Sequence, residues 1–438
     1  MKTKRLVVLT GAALLSFVTA CQSGGGDKVA EKPKESVDLS KPAELTFFMM
    51  AGDSEEGFNE RIGNPIRKKF PHYTIKYIRS QQGTTLPELI TAGQVIDIYF
   101  DSIGNFSDGL LKYQMEYDMT DLMKKSGVDV NRYEPTLIDA MKQISGGKMY
   151  GLPVYNSNLV LFYNKAIFDK FGVPYPKDGM TWDETLALAG KLTRTEDGKQ
   201  YLGLTVSPTH LFRMNQFSLP YVEPGKDTPT VNRDPWKKLL QKTIIEPAAD
   251  EGYKAKIIEL KNKLPYREAL LKEQYMAMFV FLSSMPFTVP DEIAPLNWDM
   301  VSLPTFSEMP GIGSQAYPTY FSVTAMSKNK EAAMEVIKFL GSDEYQTEMA
   351  RKGTMPVLNN ESIKKLLGQD TQFKDKNFNA VFHNKFAPIS PKTIYDVSIE
   401  KILTNKLVPL AKQEIDINTA LRTAEDEANK SIMELKLK

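Results

Sequence analysis

The sequence predicts an α/β fold, and two observations carry the prediction. Between Glu44 and Asp101, strand-like and helix-like segments alternate: ELTFFMM, then a helix from Glu55 to Phe70, HYTIKYIR, LPELITAG and VIDIYFD. Strand, helix, strand, helix, strand is the pattern of an open parallel sheet. A second run, GGKMYGLPVYNSNLVLFYNKAIFDKFG, starts another sheet with no flexible linker before it. The join is therefore predicted to be a hinge strand inside one compact molecule.

The elements follow in order. Ala51-Gly52-Asp53-Ser54 breaks the first strand, and Gly93 ends the short second helix. In parallel sheets, ligands sit beyond the carboxyl ends of the strands. That singles out Asp53, after the first strand, and Asp101, at the end of the third. A helix N-cap is the alternative role for each. In the second run, Gly146-Gly147 makes a turn, LVLFY is a buried strand, and Gly172 closes a short helix. Thr181 is placed to cap the next helix, with Asp183 and Glu184 in its first turn. YMAMFVF and WDMVSLPTF read as further strands. YFSVTAMS followed by KNKEAAMEVIKFLGSDEYQTEMARKG reads as a strand and two helices, and Ile415–Leu437 as a closing amphipathic helix.

The chain begins differently. Lys2, Lys4 and Arg5 precede an apolar stretch from Leu6 to Ala20, too short for a convincing membrane span. Val18-Thr19-Ala20-Cys21 resembles a lipobox, which implies cleavage before Cys21 and acylation of its sulfur. An ordinary leader with an incidental cysteine is the alternative. Residues 21–43 are rich in Gly, Lys, Glu and Pro and poor in large apolar groups, so they read as a tether that burial cannot order. Beyond the leader no run has the length and apolarity of a transmembrane helix.

Composition excludes several classes. Loss of Lys2, Lys4 and Arg5 takes the formal charge from +1 to −2, which gives no electrostatic grip on nucleic acid. Cys21 is the sole cysteine, so no disulfide forms within the chain. His72, His210 and His383 are widely spread, no Cys/His spacing fits zinc, and no contiguous calcium-loop pattern occurs. GxSxG, P-loop and HExxH motifs are absent. Asp97 and Asp101 could imitate a carboxylate pair, but alternation within one strand explains their spacing. The sequence therefore implies no catalytic residues, metal or cofactor.

Several separated segments resemble the extracellular solute-binding lipoproteins of bacterial ABC importers, in the branch typified by sugar and oligosaccharide binders. They are the lipobox, LTFFMMAGDSEEGFNERIGNPIRKKFPHYTIKY, VIDIYFDS, GGKMYGLPVYNSNLVLFYNKAIFDKFGVPYPKDGMTWDE, and SLPTF followed by SVTAMSKNKEAAMEVIKFLGSDEYQ. The resemblance implies a two-lobed periplasmic-binding-protein-like fold with hinge crossovers and an interlobe ligand cleft. Lobe 1 is expected at 44–153 plus 308–353, and lobe 2 at 154–307 plus 354–438, with a third crossing near 353–359. It further implies a monomer, anchored by lipid on the outer face of the cell membrane, that delivers a carbohydrate to permease subunits. A different solute, such as a peptide, is the alternative; a glycoside-processing enzyme is the more distant one.

A neutral sugar offers hydroxyls and a flat apolar face, so its binder needs short polar side chains and aromatic plates. Tyr155, Asn156, Ser157 and Asn158 supply that mixture at the first crossing. Hinge packing is the alternative for Tyr155, and turn satisfaction for Asn156. Tyr163 and Asn164 read as structural. Trp182 is a second plate candidate, although the family packs its equivalent inside lobe 2. Arg213 suits a carboxylate or uronic acid, against an ordinary ion pair. Ser283 and Ser284 follow a buried strand where sugar-binding relatives place a ligand segment. Gln315, Tyr317 and Tyr320 follow the second crossing.

Overall fold

The structure, a computed structural model, describes residues 40–436. Cys21, the lipobox and most of the expected tether lie outside the described residues.

Among the described residues, twelve strands form two five-stranded sheets and one small pair. In chain order they are β1 (Ala43–Met49), β2 (Tyr73–Arg79), β3 (Ile98–Ser102), β4 (Leu152–Tyr155), β5 (Leu159–Asn164), β6 (Arg194–Glu196), β7 (Lys199–Val206), β8 (Met276–Leu282), β9 (Trp298–Ser302), β10 (Ile312–Gln315), β11 (Thr319–Val323) and β12 (Lys385–Ala387). The first sheet has the order β2-β1-β3-β11-β4 and the second β6-β7-β8-β5-β9.

The first three strands are parallel, as the alternation predicts. The complete sheets are mixed. β11 runs antiparallel to both β3 and β4, and β5 antiparallel to both β8 and β9. The reason is connectivity: chain returning from one sheet enters the other from the opposite end. Central strands are buried on both faces, which their unbroken apolar runs require. Leu45, Phe47 and Phe48 of β1 and Met276–Val280 of β8 are fully buried.

Local signals hold at the helix ends. Gly172 closes Lys165–Phe171 in the left-handed conformation, φ 62°. Thr181 and Glu184 form a reciprocal cap on Trp182–Leu192. The closing helix is Ile417–Lys436, with Leu421, Ala424, Ala428 and Ile432 buried against its neighbours. No helix among the described residues is long and apolar enough to cross a membrane.

Chain passes between the sheets at Asn156–Asn158, at Ala316–Pro318, and between Asp370 and Phe373. Two boundaries differ from the sequence reading. Residues 312–315 sit with the second sheet, because β10 pairs with β12 and the Gln315 N–H donates to Met214 O (3.0 Å). Residues 355–359 stay with the first sheet: Glu134 N–H donates to Val357 O (2.9 Å) and Asn359 N–H to Arg132 O (2.8 Å). Asp370 is still tied to Arg351 O (3.0 Å), whereas the Phe373 ring meets Trp298 beside β9. Backbone pairing, invisible in a linear sequence, holds the expected crossing segment 353–359 with the first sheet.

Candidate functional site

Asn105, beyond the carboxyl end of β3, meets Arg213 of the segment that follows β7, and Ser283, after β8, meets the Ser157–Asn158 segment. Asp101, at the end of β3, is fully buried. It accepts hydrogen bonds from Ala51 N–H (3.1 Å), Ser102 N–H (2.7 Å) and the Asn105 amide (3.2 Å). Burial raises its pKa. Asp53 accepts from Ser54 N–H (2.9 Å) and pairs with Arg61. Neither aspartate is an N-cap. Ser54 and Ser102 hold those positions, one residue later, and the Ser54 hydroxyl accepts from Gly57 N–H (2.9 Å).

The first two crossing segments are stitched by short polar side chains. Asn156 Oδ1 accepts from Ser157 N–H (2.9 Å) and Tyr317 N–H (3.1 Å), joining the first two. Asn158 donates to Val381 O (2.8 Å), in the helix Ala380–His383 that follows the third crossing. Its Oδ1 is buried and has no donor. Ser283 Oγ lies 3.3 Å from Ser157 Oγ and accepts from Asn158 N–H.

Arg213 ends the helix Pro208–Arg213 that follows β7. Its Nε and Nη2 donate to the two carboxylate oxygens of Glu400 (2.6 and 3.1 Å). Nη1 donates to the Tyr317 hydroxyl (3.0 Å) and to Asn105 Oδ1 (3.4 Å). Asn105 belongs to the first sheet's side and Arg213 to the second's, so this guanidinium spans the two. Ser102 Oγ also donates to the Tyr317 hydroxyl (3.2 Å). His210, one turn before Arg213, has its ring edge-on to Phe281 (5.1 Å) and Tyr317 (6.2 Å). Ser207 Oγ bridges His210 Nδ1 (2.7 Å) and the Tyr266 hydroxyl (3.0 Å). Burial, then the Arg213 charge, pushes the His210 pKa down to about 4, so the ring is neutral at pH 7.

Several sequence-predicted contacts are interior residues, and the structure corrects them. Trp182 is 1% exposed and donates to Gln216 Oε1 (2.9 Å). Gln315 donates to Asn215 O and accepts from Ser390 N–H, both at 2.8 Å. Tyr320 is fully buried with its hydroxyl on Leu137 O (2.6 Å). None of these three has a face open to solute. Tyr155 is more constrained than its neighbours suggest. Its hydroxyl lies 2.6 Å from that of Tyr345, which donates to Arg61 O. The Arg61 guanidinium sits over its ring, 5.8 Å from the centroid. A solute reaches that face only by displacing Arg61.

Sequence reasoning missed Asn105, Glu400, Lys392 and Asp396. Glu400 left one signal. In the helix Asp396–Ala411 it shares the buried stripe of Ile399, Leu403 and Leu407, where a carboxylate demands a partner. Among the described residues no group of three or more His, Cys, Asp or Glu is placed to hold a metal ion.

The sequence pattern of the family described as bacterial extracellular solute-binding protein matches residues 51–347. An uncharacterized ABC transporter extracellular-binding protein of Pyrococcus horikoshii is 26% identical over 194 residues, which is 42% of this chain and 42% of that protein. The chain thus spans less than half the length of that relative. Among solved structures, an ABC substrate-binding protein of Listeria monocytogenes in complex with cycloalternan has a TM-score of 0.70 at 20% identity, covering 90% of this chain and 99% of that one. A sugar transporter structure from Rhizobium etli, in an open conformation, has a TM-score of 0.68 at 19% identity, covering 89% and 99%.

Proposed function

The chain belongs to the bacterial extracellular solute-binding protein family, and from that premise we propose that it captures a carbohydrate, an oligosaccharide by preference, between its two lobes and delivers it to an ABC permease. The observation that carries the reading is Arg213, which reaches from the second-sheet side to Asn105 on the first and to Tyr317 on the segment between them. Groups that meet only when two lobes close can favour closure on a bound solute.

The chemistry around that contact suits a neutral, hydroxyl-rich molecule. Asn158 Oδ1 is a buried acceptor without a donor, and Ser157, Ser283 and Tyr317 bring hydroxyls. Phe281, Tyr266 and the neutral His210 ring offer flat apolar surface. The matched Listeria protein is bound to cycloalternan, which supports the same solute class. Binding and release complete the task; no bond of the solute changes. Cys21 provides the lipid anchor on the outer face of the cell membrane in this reading.

A melting screen across mono- and oligosaccharides, uronic acids, amino acids and short peptides tests the solute class. A solute that binds only the folded state raises the melting temperature. Stabilisation by neutral oligosaccharides is expected. Stabilisation by peptides, with none by sugars, overturns the reading.

A further inference from the structure

Arg213 is the obvious receptor for a carboxylate-bearing solute, yet its bonding leaves it no free edge. A guanidinium binds a carboxylate through two parallel N–H groups. The Nε/Nη2 edge is taken by Glu400, at 2.6 and 3.1 Å. Nη1 is taken by Tyr317 and Asn105. Glu400 is itself fixed, since the Tyr221 hydroxyl donates to its Oε2 (3.2 Å). The pair is largely withdrawn from water, with side chains 15% and 10% exposed.

The nearby charges act in the same direction. Lys392, the other cation here, donates to Arg213 O (3.1 Å) and Ser390 Oγ (2.9 Å). Asp396, one turn before Glu400 on the same helix, is buried with Oδ2 lacking any donor. Asp101 is a third buried carboxylate, on the opposite side beyond Asn105. Three buried carboxylates, Glu400, Asp396 and Asp101, thus lie around Arg213 and Lys392.

We propose that Glu400 sets the charge selectivity of the cleft: by occupying Arg213 it restricts the protein to uncharged solutes and excludes carboxylate-bearing ones such as uronic-acid oligosaccharides. This rests on the reading of the interlobe cleft as the solute site. Glu400 acts through Arg213 and is a specificity-determining residue. Replacing it with glutamine removes the charge while keeping a similar shape and one acceptor. That leaves an unneutralised guanidinium facing the cleft, so the variant gains anion binding.

The test uses calorimetry and melting shifts with maltotriose, mannotriose, trigalacturonate and succinate on the wild type, Glu400→Gln and the double variant Arg213→Gln/Glu400→Gln. The wild type should show no response to trigalacturonate or succinate. Glu400→Gln should bind trigalacturonate about tenfold or more tighter than the wild type, as expected for one charge-assisted contact. The double variant should lose that gain. Wild-type protein that binds trigalacturonate as tightly as the neutral trisaccharides overturns the proposal, and this comparison decides the matter even if Glu400→Gln fails to fold. A folded Glu400→Gln that gains no anion also overturns it. Failure of every sugar on the wild type fails the carbohydrate reading instead; succinate binding, or its gain in the variant, still reports the charge rule.

Discussion

Arg213 and Glu400, 187 positions apart in sequence, form a two-point ion pair where the two halves of the molecule meet. The pair is mostly buried, so its partners depend on each other. Removing one leaves the other charge desolvated and unmatched, which costs far more than the intact pair contributes.

The first prediction follows from that asymmetry. Arg213→Ala should destabilise the protein by about 2–4 kcal/mol, somewhat below the range for fully buried pairs because some exposure remains. Replacing both residues together, Arg213→Met with Glu400→Leu, should recover most of the loss. Urea denaturation of the two variants checks it; equal losses in the single and double variants would refute the dependence.

Two titratable groups near this pair should give opposite pH slopes. Burial pushes Asp396 up to about 6, with Lys392 opposing and Glu400 reinforcing the rise. The folded state therefore holds a proton, between pH about 4 and 6, that the unfolded chain has released, and stability falls as pH rises through that window. His210 is held near 4. There the unfolded chain binds the proton and the folded state does not, so stability rises with pH from about 4 to 6.5. Each slope reaches at most about 1.4 kcal/mol per pH unit. Asp396→Asn should leave a steeper rise with pH, and His210→Asn a fall. Denaturation midpoints at several pH values between 4 and 6.5 read both; parallel profiles for the two variants would contradict these proton assignments.

Tyr155 should matter for stability before it matters for solute. Tyr155→Phe removes one buried hydroxyl contact with Tyr345 and should cost about 1 kcal/mol. Tyr155→Ala also removes a ring packed between Arg61 and Phe321 and should cost about 3–5 kcal/mol. Denaturation of the solute-free variants distinguishes this packing role from a free binding plate, for which both changes would leave stability near the wild type.

Gly203 tests the packing of the second sheet. A Cβ there would lie 2.1 Å from Ala189 O, on the backbone of the helix Trp182–Leu192. Backbone yields only by moving the helix, so Gly203→Ala should lose about 1–3 kcal/mol. A melting temperature equal to the wild type would show that the helix does not approach β7 so closely.

Attachment is separable from all of this. Cys21→Ser should abolish incorporation of a labelled fatty acid while solute affinity stays unchanged. Persistent acyl labelling in the variant would remove Cys21 from the anchor.

The elements were legible wherever local chemistry decides them. The apolar runs of β1 and β8, the glycine stop at Gly172 and the cap at Thr181 all form as the residues dictate. Segment 355–359 was misplaced because backbone pairing with Arg132 and Glu134 is a non-local choice. At the site, residue type alone could not separate Tyr317, whose hydroxyl lies between the two halves, from Tyr320, three positions on and wholly interior. Strand β11 turns the second of these toward Leu137. Arg213 was visible as a charge, but its partner was not, since nothing in DVSIEKIL names the arginine it meets.

The most direct measurement is a crystal structure of the protein with the neutral oligosaccharide that raises its melting temperature most. Sugar is expected between the two sheets, within hydrogen-bonding reach of Tyr317 and the Asn156–Asn158 segment. Sugar bound on the outer surface of either half, with the space between the sheets holding none, would contradict it.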